Sequence, residues 1–183
     1  MADDPVSVRR ATADDAAAMA RVQAQSWQVA YRGIVADEII ARVVENERTL
    51  SERLRAGLGD PNGRRTGGVG VRGEAIVGMA IAGPSRDAAA GDEVAELYAI
   101  YLDPDMIGTG IGRDLLQAVV ADLRRLRFIE ATLWVLTANP RARRFYARAG
   151  WRLDGATKRA EAPGGVLDVV RYRLPLDPGQ SRG

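Results

Sequence analysis

The spacing of apolar positions changes several times along this chain, and each change marks a change of element. Val6 and Val8 alternate with polar neighbours, as in a short strand over 6–10. Thr12, with Asp15 three residues on, reads as a helix start. From Ala13 to about Arg32 the apolar positions Ala16, Met19, Ala20 and Trp27 keep a helical period that Gly33 ends. Residues 37–58 give one or two more helices, with Ile39, Ile40, Val43 and Val44 inward. The period then shortens: 66–83 reads as two strands joined near Gly73, and 93–103 as a long apolar strand near the middle of a sheet. Residues from Gly110 to Arg127 form an amphipathic helix with Leu115, Leu116, Val119 and Leu123 on its core face. A buried strand follows at 128–136. The next helix has Asn139 as N-cap, Pro140 at its first position and Gly150 past its end. "WRLDG" and "VLDVVRYRL" complete the strands.

The predicted order is β-α-α-β-β-β-α-β-α-β-β. The fold class is α/β, a mixed central sheet with flanking helices, in one domain over 1–176 with a mobile tail at 177–183. A strand, a crossover helix and a strand in succession predict a parallel pair, 93–102 beside 129–136.

Composition removes most chemistries. The 183 residues include no Cys and no His, so thiol nucleophiles, thiolate metal sites, Ser-His triads and imidazole ligands are excluded. No metal is expected. Lys158 is the only lysine, so no GxxxxGK phosphate loop exists. Acid-base work falls to Asp, Glu, Tyr, backbone or water. Apolar residues make up 46% of the chain, yet no run approaches the ~18 residues of a membrane span. "MADDPVSVRR" lacks a basic-then-apolar leader pattern, so a cytoplasmic protein without membrane contact is expected. Residues 1–103 carry 12 basic and 16 acidic side chains, and 104–183 carry 14 and 8. An anionic ligand suits the second half, although both halves also read as plain solvated surface. The arginines are scattered without an aromatic platform, so no nucleic acid is expected.

The positive half contains "DPDMIGTGIGRDLL", with Gly108, Gly110 and Gly112 between the central strand and its helix. A helix N-terminus offers unpaired amides and partial positive charge, and bare backbone lets a phosphate approach them. The alternative is a merely tight strand-helix turn. The spacing is GxGxG rather than GxGxxG, and the loop does not follow the first strand, which argues against a dinucleotide cradle.

"LDPDMIGTGIGRDLL" followed by "ATLWVLTANPRARRFYARAGW" resembles the two cofactor motifs of the GCN5-related N-acetyltransferase family. The second motif of that family is matched at Asn139, Ala142, Phe145, Tyr146 and Gly150, with Trp151 for the usual Phe. The opening "VRRATADDAAAMARVQAQSWQVAYRGIVADE" also looks like bacterial members, so the resemblance covers nearly the whole chain. It departs at Ile107, where the family usually has Arg or Gln. A pyrophosphate would then rest on the amides of Gly108 through Arg113.

The resemblance implies acetyl-CoA as cosubstrate and direct attack by an amine on its thioester. The pantetheine arm would lie between the two parallel strands, along the backbone of Ile100, Tyr101 and Leu102, with the pyrophosphate on Ile107, Gly108, Thr109, Gly110, Ile111, Gly112 and Arg113. Asn139 would cap its helix and touch the cofactor. Tyr146 stands at the family's general-acid position; alternatively it shares a core face with Ala142, Phe145 and Ala149. An alkyl amine is about 0.04% neutral at pH 7, so a base helps. Glu96, interrupting an apolar strand, is the candidate, with Glu93 and the Tyr98 hydroxyl behind it; the other reading pairs Glu96 with an arginine. Trp27 and Tyr31, four apart on one helix face, either line the acceptor pocket or pack the core. The expected acceptor is a primary amine of a small molecule, and the acidic first half favours a cationic one such as a polyamine. Acetylation of a protein N-terminus or lysine, and a non-catalytic acyl-CoA sensor, are the alternatives. Family members are often dimers, which makes a homodimer possible.

Overall fold

The computed structural model describes residues 5–60 and 63–176. The expected mobile tail, 177–183, lies outside the described residues. Seven strands and five helices follow one another: β1 (Val6–Arg10), α1 (Ala16–Ala30), α2 (Asp37–Glu45), α3 (Glu47–Gly59), β2 (Thr66–Arg72), β3 (Ala75–Pro84), β4 (Val94–Leu102), α4 (Ile111–Arg125), β5 (Glu130–Leu136), α5 (Pro140–Arg148), β6 (Arg152–Ala162) and β7 (Gly165–Pro175). Residues 37–58, read as one or two helices, form two. The strand predicted only at "WRLDG" runs on to Ala162, because it is an edge strand paired along β7 and exposed on both faces. Such a strand carries no burial pattern that a sequence could display.

The sheet order is β1-β2-β3-β4-β5-β7-β6, and only β4 and β5 are parallel. Helices cover both faces. On one, Leu115, Leu116, Val119 and Leu123 of α4 pack against Leu97, Phe128 and Leu133. On the other, Met19, Ala20 and Val22 of α1 pack against Val69, Met79 and Ile81. This double coverage explains why the interior of β3 is buried at every position instead of alternating. Each fully buried Leu or Met here contributes roughly 2 kcal/mol of burial. Glycine in β2 lets α4 come close: a Cβ on Gly70 would lie 2.9 Å from Ile111 Cγ1.

The N-terminal helix starts as expected, with one refinement. Residues 13–15 form a single 3-10 turn before α1. Asp15 accepts from the Thr12 amide at 2.8 Å and from Arg9 at 2.7 and 2.8 Å. Among the described residues no helix is long and apolar enough to cross a membrane.

Candidate active site between the diverging strands

β4 and β5 hold together at one end only. Their ladder has three rungs, Val94–Glu130, Ala95–Ala131 and Glu96–Thr132, although β4 continues to Leu102 and β5 to Leu136. A bulge causes the divergence to begin where it does. Ile81 pairs with Ala99 and Ala82 with Leu97, so Tyr98 is an extra residue that bends β4 away from β5. Beyond Glu96 one edge of β4 therefore has no β5 partner, and its amides and carbonyls are free for a ligand.

A cavity of about 640 Å³ fills the gap and reaches both faces of the sheet. Ile100 and Leu102 face α4, whereas Ala99 and Tyr101 face α1. Ile100, Tyr101 and Leu102 all line it.

At one mouth of this cavity stands the glycine loop. Gly108 and Gly110 have φ of +90° and +97°, and a Cβ on either would meet nothing within 4 Å. Their bare backbone faces open space in a conformation that other residues avoid. Gly112 serves differently: its Cβ would lie 3.2 Å from Leu102 Cδ1, so it lets α4 seat closely on β4. The amides are not all available. Thr109 donates to the Met106 carbonyl at 3.4 Å and Arg113 to the Gly110 carbonyl at 2.9 Å. Within the expected cradle, Gly108 through Arg113, the Thr109 and Arg113 amides are thus engaged inside the loop. The Ile111 side chain is buried in the core, while Ile107 and Arg113 line the cavity.

The second motif forms the other wall. Asn139 Oδ1 accepts from the Ala142 amide at 3.0 Å, so the residue does cap α5, and it also lines the cavity. Tyr146 lines the cavity with its ring edge-on to Trp151. It is both a core aromatic and a cavity residue, so the two readings of this position are compatible. Burial pushes its phenol well above the ordinary range, so it stays protonated at neutral pH.

Across the sheet, Trp27 and Tyr31 stack at 4.3 Å between centroids and both line the cavity. Sequence reasoning passed over Trp134, whose alternate position on a diverging strand turns it into the same space.

Glu96 is elsewhere. It is 2% exposed and accepts from Arg86 through the backbone amide at 2.9 Å and the guanidinium at 2.5 and 3.2 Å. It sits on the last rung of the parallel ladder, before the strands part, and is not among the residues lining the cavity. Of the two readings of Glu96, a base or the partner of an arginine, the structure contains the arginine pairing: its oxygens accept from Arg86. No acidic side chain lines the cavity among the described residues.

Comparison with known proteins agrees with this geometry. The sequence profile of the acetyltransferase (GNAT) family matches residues 25–151. An uncharacterised N-acetyltransferase of Mycobacterium tuberculosis is 34% identical over 143 residues, 77% of this chain and 85% of the relative. The chain belongs to the GNAT acetyltransferase family. Among solved structures, an acetyltransferase of Salmonella typhimurium in complex with acetyl-CoA superposes with a TM-score of 0.68 at 20% identity, covering 98% of each chain. The ribosomal-protein-S18-alanine N-acetyltransferase of Escherichia coli does so at 0.65 and 18% identity, over 98% of this chain and 99% of its own. At these identities the two share the fold with this acetyltransferase. The mixed single-domain sheet with its β4-β5 parallel pair is the family's architecture, and acetyl transfer from acetyl-CoA is the family's reaction.

Proposed function

We propose that this acetyltransferase moves the acetyl group of acetyl-CoA onto a primary amine of a small molecule by direct attack on the thioester. The observation that carries the reading is the single cavity running from the glycine loop, between the diverging strands, to Trp27 and Tyr31. The glycine cradle fits a pyrophosphate: open amides at a helix N-terminus, with Arg113 and Arg141 on the same wall. The freed edge of β4 along Ile100, Tyr101 and Leu102 fits an amide-bearing arm that hydrogen-bonds like an added strand.

Bound acetyl-CoA supplies an acetyl thioester, whose C–S bond breaks as the amine nitrogen forms the new C–N bond. An amide on the freed edge of β4 donates to the thioester oxygen as charge builds there. Tyr146 gives its phenolic proton to the departing sulfur, and the amine's surplus proton leaves to water. A thiol near 8.5 and a phenol near 10 are close enough for this exchange, and burial raises both. Glu96 holds Arg86 and the turn at 85–87 against β4, which fixes the bulge at Tyr98; the Tyr98 hydroxyl donates to the Pro84 carbonyl at 2.6 Å.

Thiol release in the presence of amines tests the assignment. Tyr146→Phe lowers kcat about 10²-fold while acetyl-CoA affinity is unchanged. An unchanged kcat removes Tyr146 from the proton path; amine-independent binding without any thiol release identifies an acyl-CoA sensor instead.

A further inference from the structure

The acceptor half of the cavity is unusual for a site that handles amines. On the α1 face its walls are Trp27, Tyr31, Ile34, Tyr101, Trp134 and Leu167. No carboxylate lines it, and the formal charges on the whole wall are the cations Arg113 and Arg141, both on the helices α4 and α5 that border the glycine loop. An ammonium group entering here loses water and meets no anion, a desolvation cost that cation–π contact with the aromatic walls offsets only in part.

Two acidic groups close to Tyr98 and Trp134 are already committed. Glu96 accepts from Arg86. Asp87 accepts from Lys158 at 2.9 Å, from Arg171 at 3.1 Å and from the Trp134 indole N–H at 3.0 Å. Trp134 is thereby fixed as a plate, with Lys158 Nζ 3.9 Å above its ring. Tyr31 stacks on Trp27, and the pair lines the same cavity as Trp134. The result is an aromatic-lined slot, with ion pairs behind Trp134.

We infer that the acceptor is an amine carried on a flat aromatic body, taken up in its neutral form without a side-chain base. This deepens the proposed acetyl transfer and rests on that reading. The titratable groups facing the site are Tyr31 at the C-terminal cap of α1, Tyr98 and Tyr101 on β4, Tyr146 and Arg141 on α5, and Arg113 on α4. Burial pushes all four phenols above their ordinary range, and the arginines are permanent cations, so none accepts a proton near pH 7. Aromatic walls favour a ring through offset or edge contacts beyond simple area burial. The amine nitrogen forms the N–C bond, the C–S bond breaks, Tyr146 protonates the sulfur, and the nitrogen's proton passes to water.

The test compares 2-phenylethylamine with butylamine, a more basic amine that lacks the ring, and with spermidine, at matched concentrations of the neutral amine, using the full chain and acetyl-CoA. We expect kcat/KM for 2-phenylethylamine to exceed both others at least tenfold. It should rise about tenfold per pH unit between about pH 6 and pH 9, tracking the neutral fraction of the amine. Tyr31→Ala should raise KM for the aromatic amine and leave KM for acetyl-CoA unchanged, with a melting curve confirming that the variant folds. Equal or better turnover of butylamine or spermidine overturns the inference, as does a rate that levels off below about pH 8, which marks an enzyme base. Calorimetry of 2-phenylethylamine with the CoA-bound protein separates the two proposals. Binding without turnover of any amine sinks acetyl transfer but keeps the slot's preference; absent binding sinks the preference itself.

Discussion

Asp15 shows how much one carboxylate can depend on its neighbours. Hydrogen bonds from Arg9, with help from the Thr12 amide, pull its pKa from 3.8 to about 2. A lowered carboxylate pKa adds stability that is fully present above the unfolded value and is lost as pH falls through the folded one. Because Arg9 is half-exposed, solvent screens the pair and the contribution is about 1 kcal/mol. Urea unfolding at a series of pH values should show this loss between about pH 5 and pH 2, and Asp15→Asn should flatten it there. At the same scale, Glu96 and Tyr146 divide differently from what their sequence positions imply. A carboxylate inside an apolar strand demands a partner, and the sequence offers 25 arginines without saying which one arrives. Arg86 arrives because the turn at 85–87 folds back over the strand. Tyr146 was legible because its motif fixes it on α5 relative to Asn139, which is local geometry.

Among the elements, the β4-loop-α4 unit was the most legible. A long apolar strand, three spaced glycines and an amphipathic helix each declare themselves within a few residues. The division of labour among the glycines was not visible, because it depends on what stands opposite. Gly108 and Gly110 face open space with positive φ, and Gly112 faces Leu102. This difference predicts different outcomes. Gly110→Ala forces a left-handed conformation on a residue with a Cβ, which costs roughly 1–2 kcal/mol. Isothermal titration should show acetyl-CoA affinity falling together with thermal stability. The edge strand β6 marks the opposite case: exposed on both faces, its second half has no periodicity to read and is held by its pairing with β7.

For the whole molecule, the decisive feature is that the sheet parts along one seam. β4 and β5 share three rungs and then separate, so the far ends of the two strands leave backbone groups without strand partners. A ligand spanning the gap completes the sheet. Hydrogen-deuterium exchange should therefore slow at residues 97–102 on addition of acetyl-CoA, with little change in the β1-β2-β3 ladder; uniform protection across the sheet would argue against an arm bound along β4. The same seam gathers Trp27, Tyr98, Tyr101, Trp134 and Tyr146 from four elements around one space. The sequence by itself determined the elements, their order, the parallel pair and the glycine loop ahead of α4, because periodicity, caps and turn residues act over a few neighbours. Only the tertiary structure decided which carboxylates are spent on arginines and which amides remain free. It also decided that the cavity between the strands is rich in aromatic side chains and lined by no acid among the described residues, although the first half of the chain is acidic overall. Net charge is a sum over the whole surface, whereas the charge of a cavity is set by the few side chains that the folded sheet turns into it.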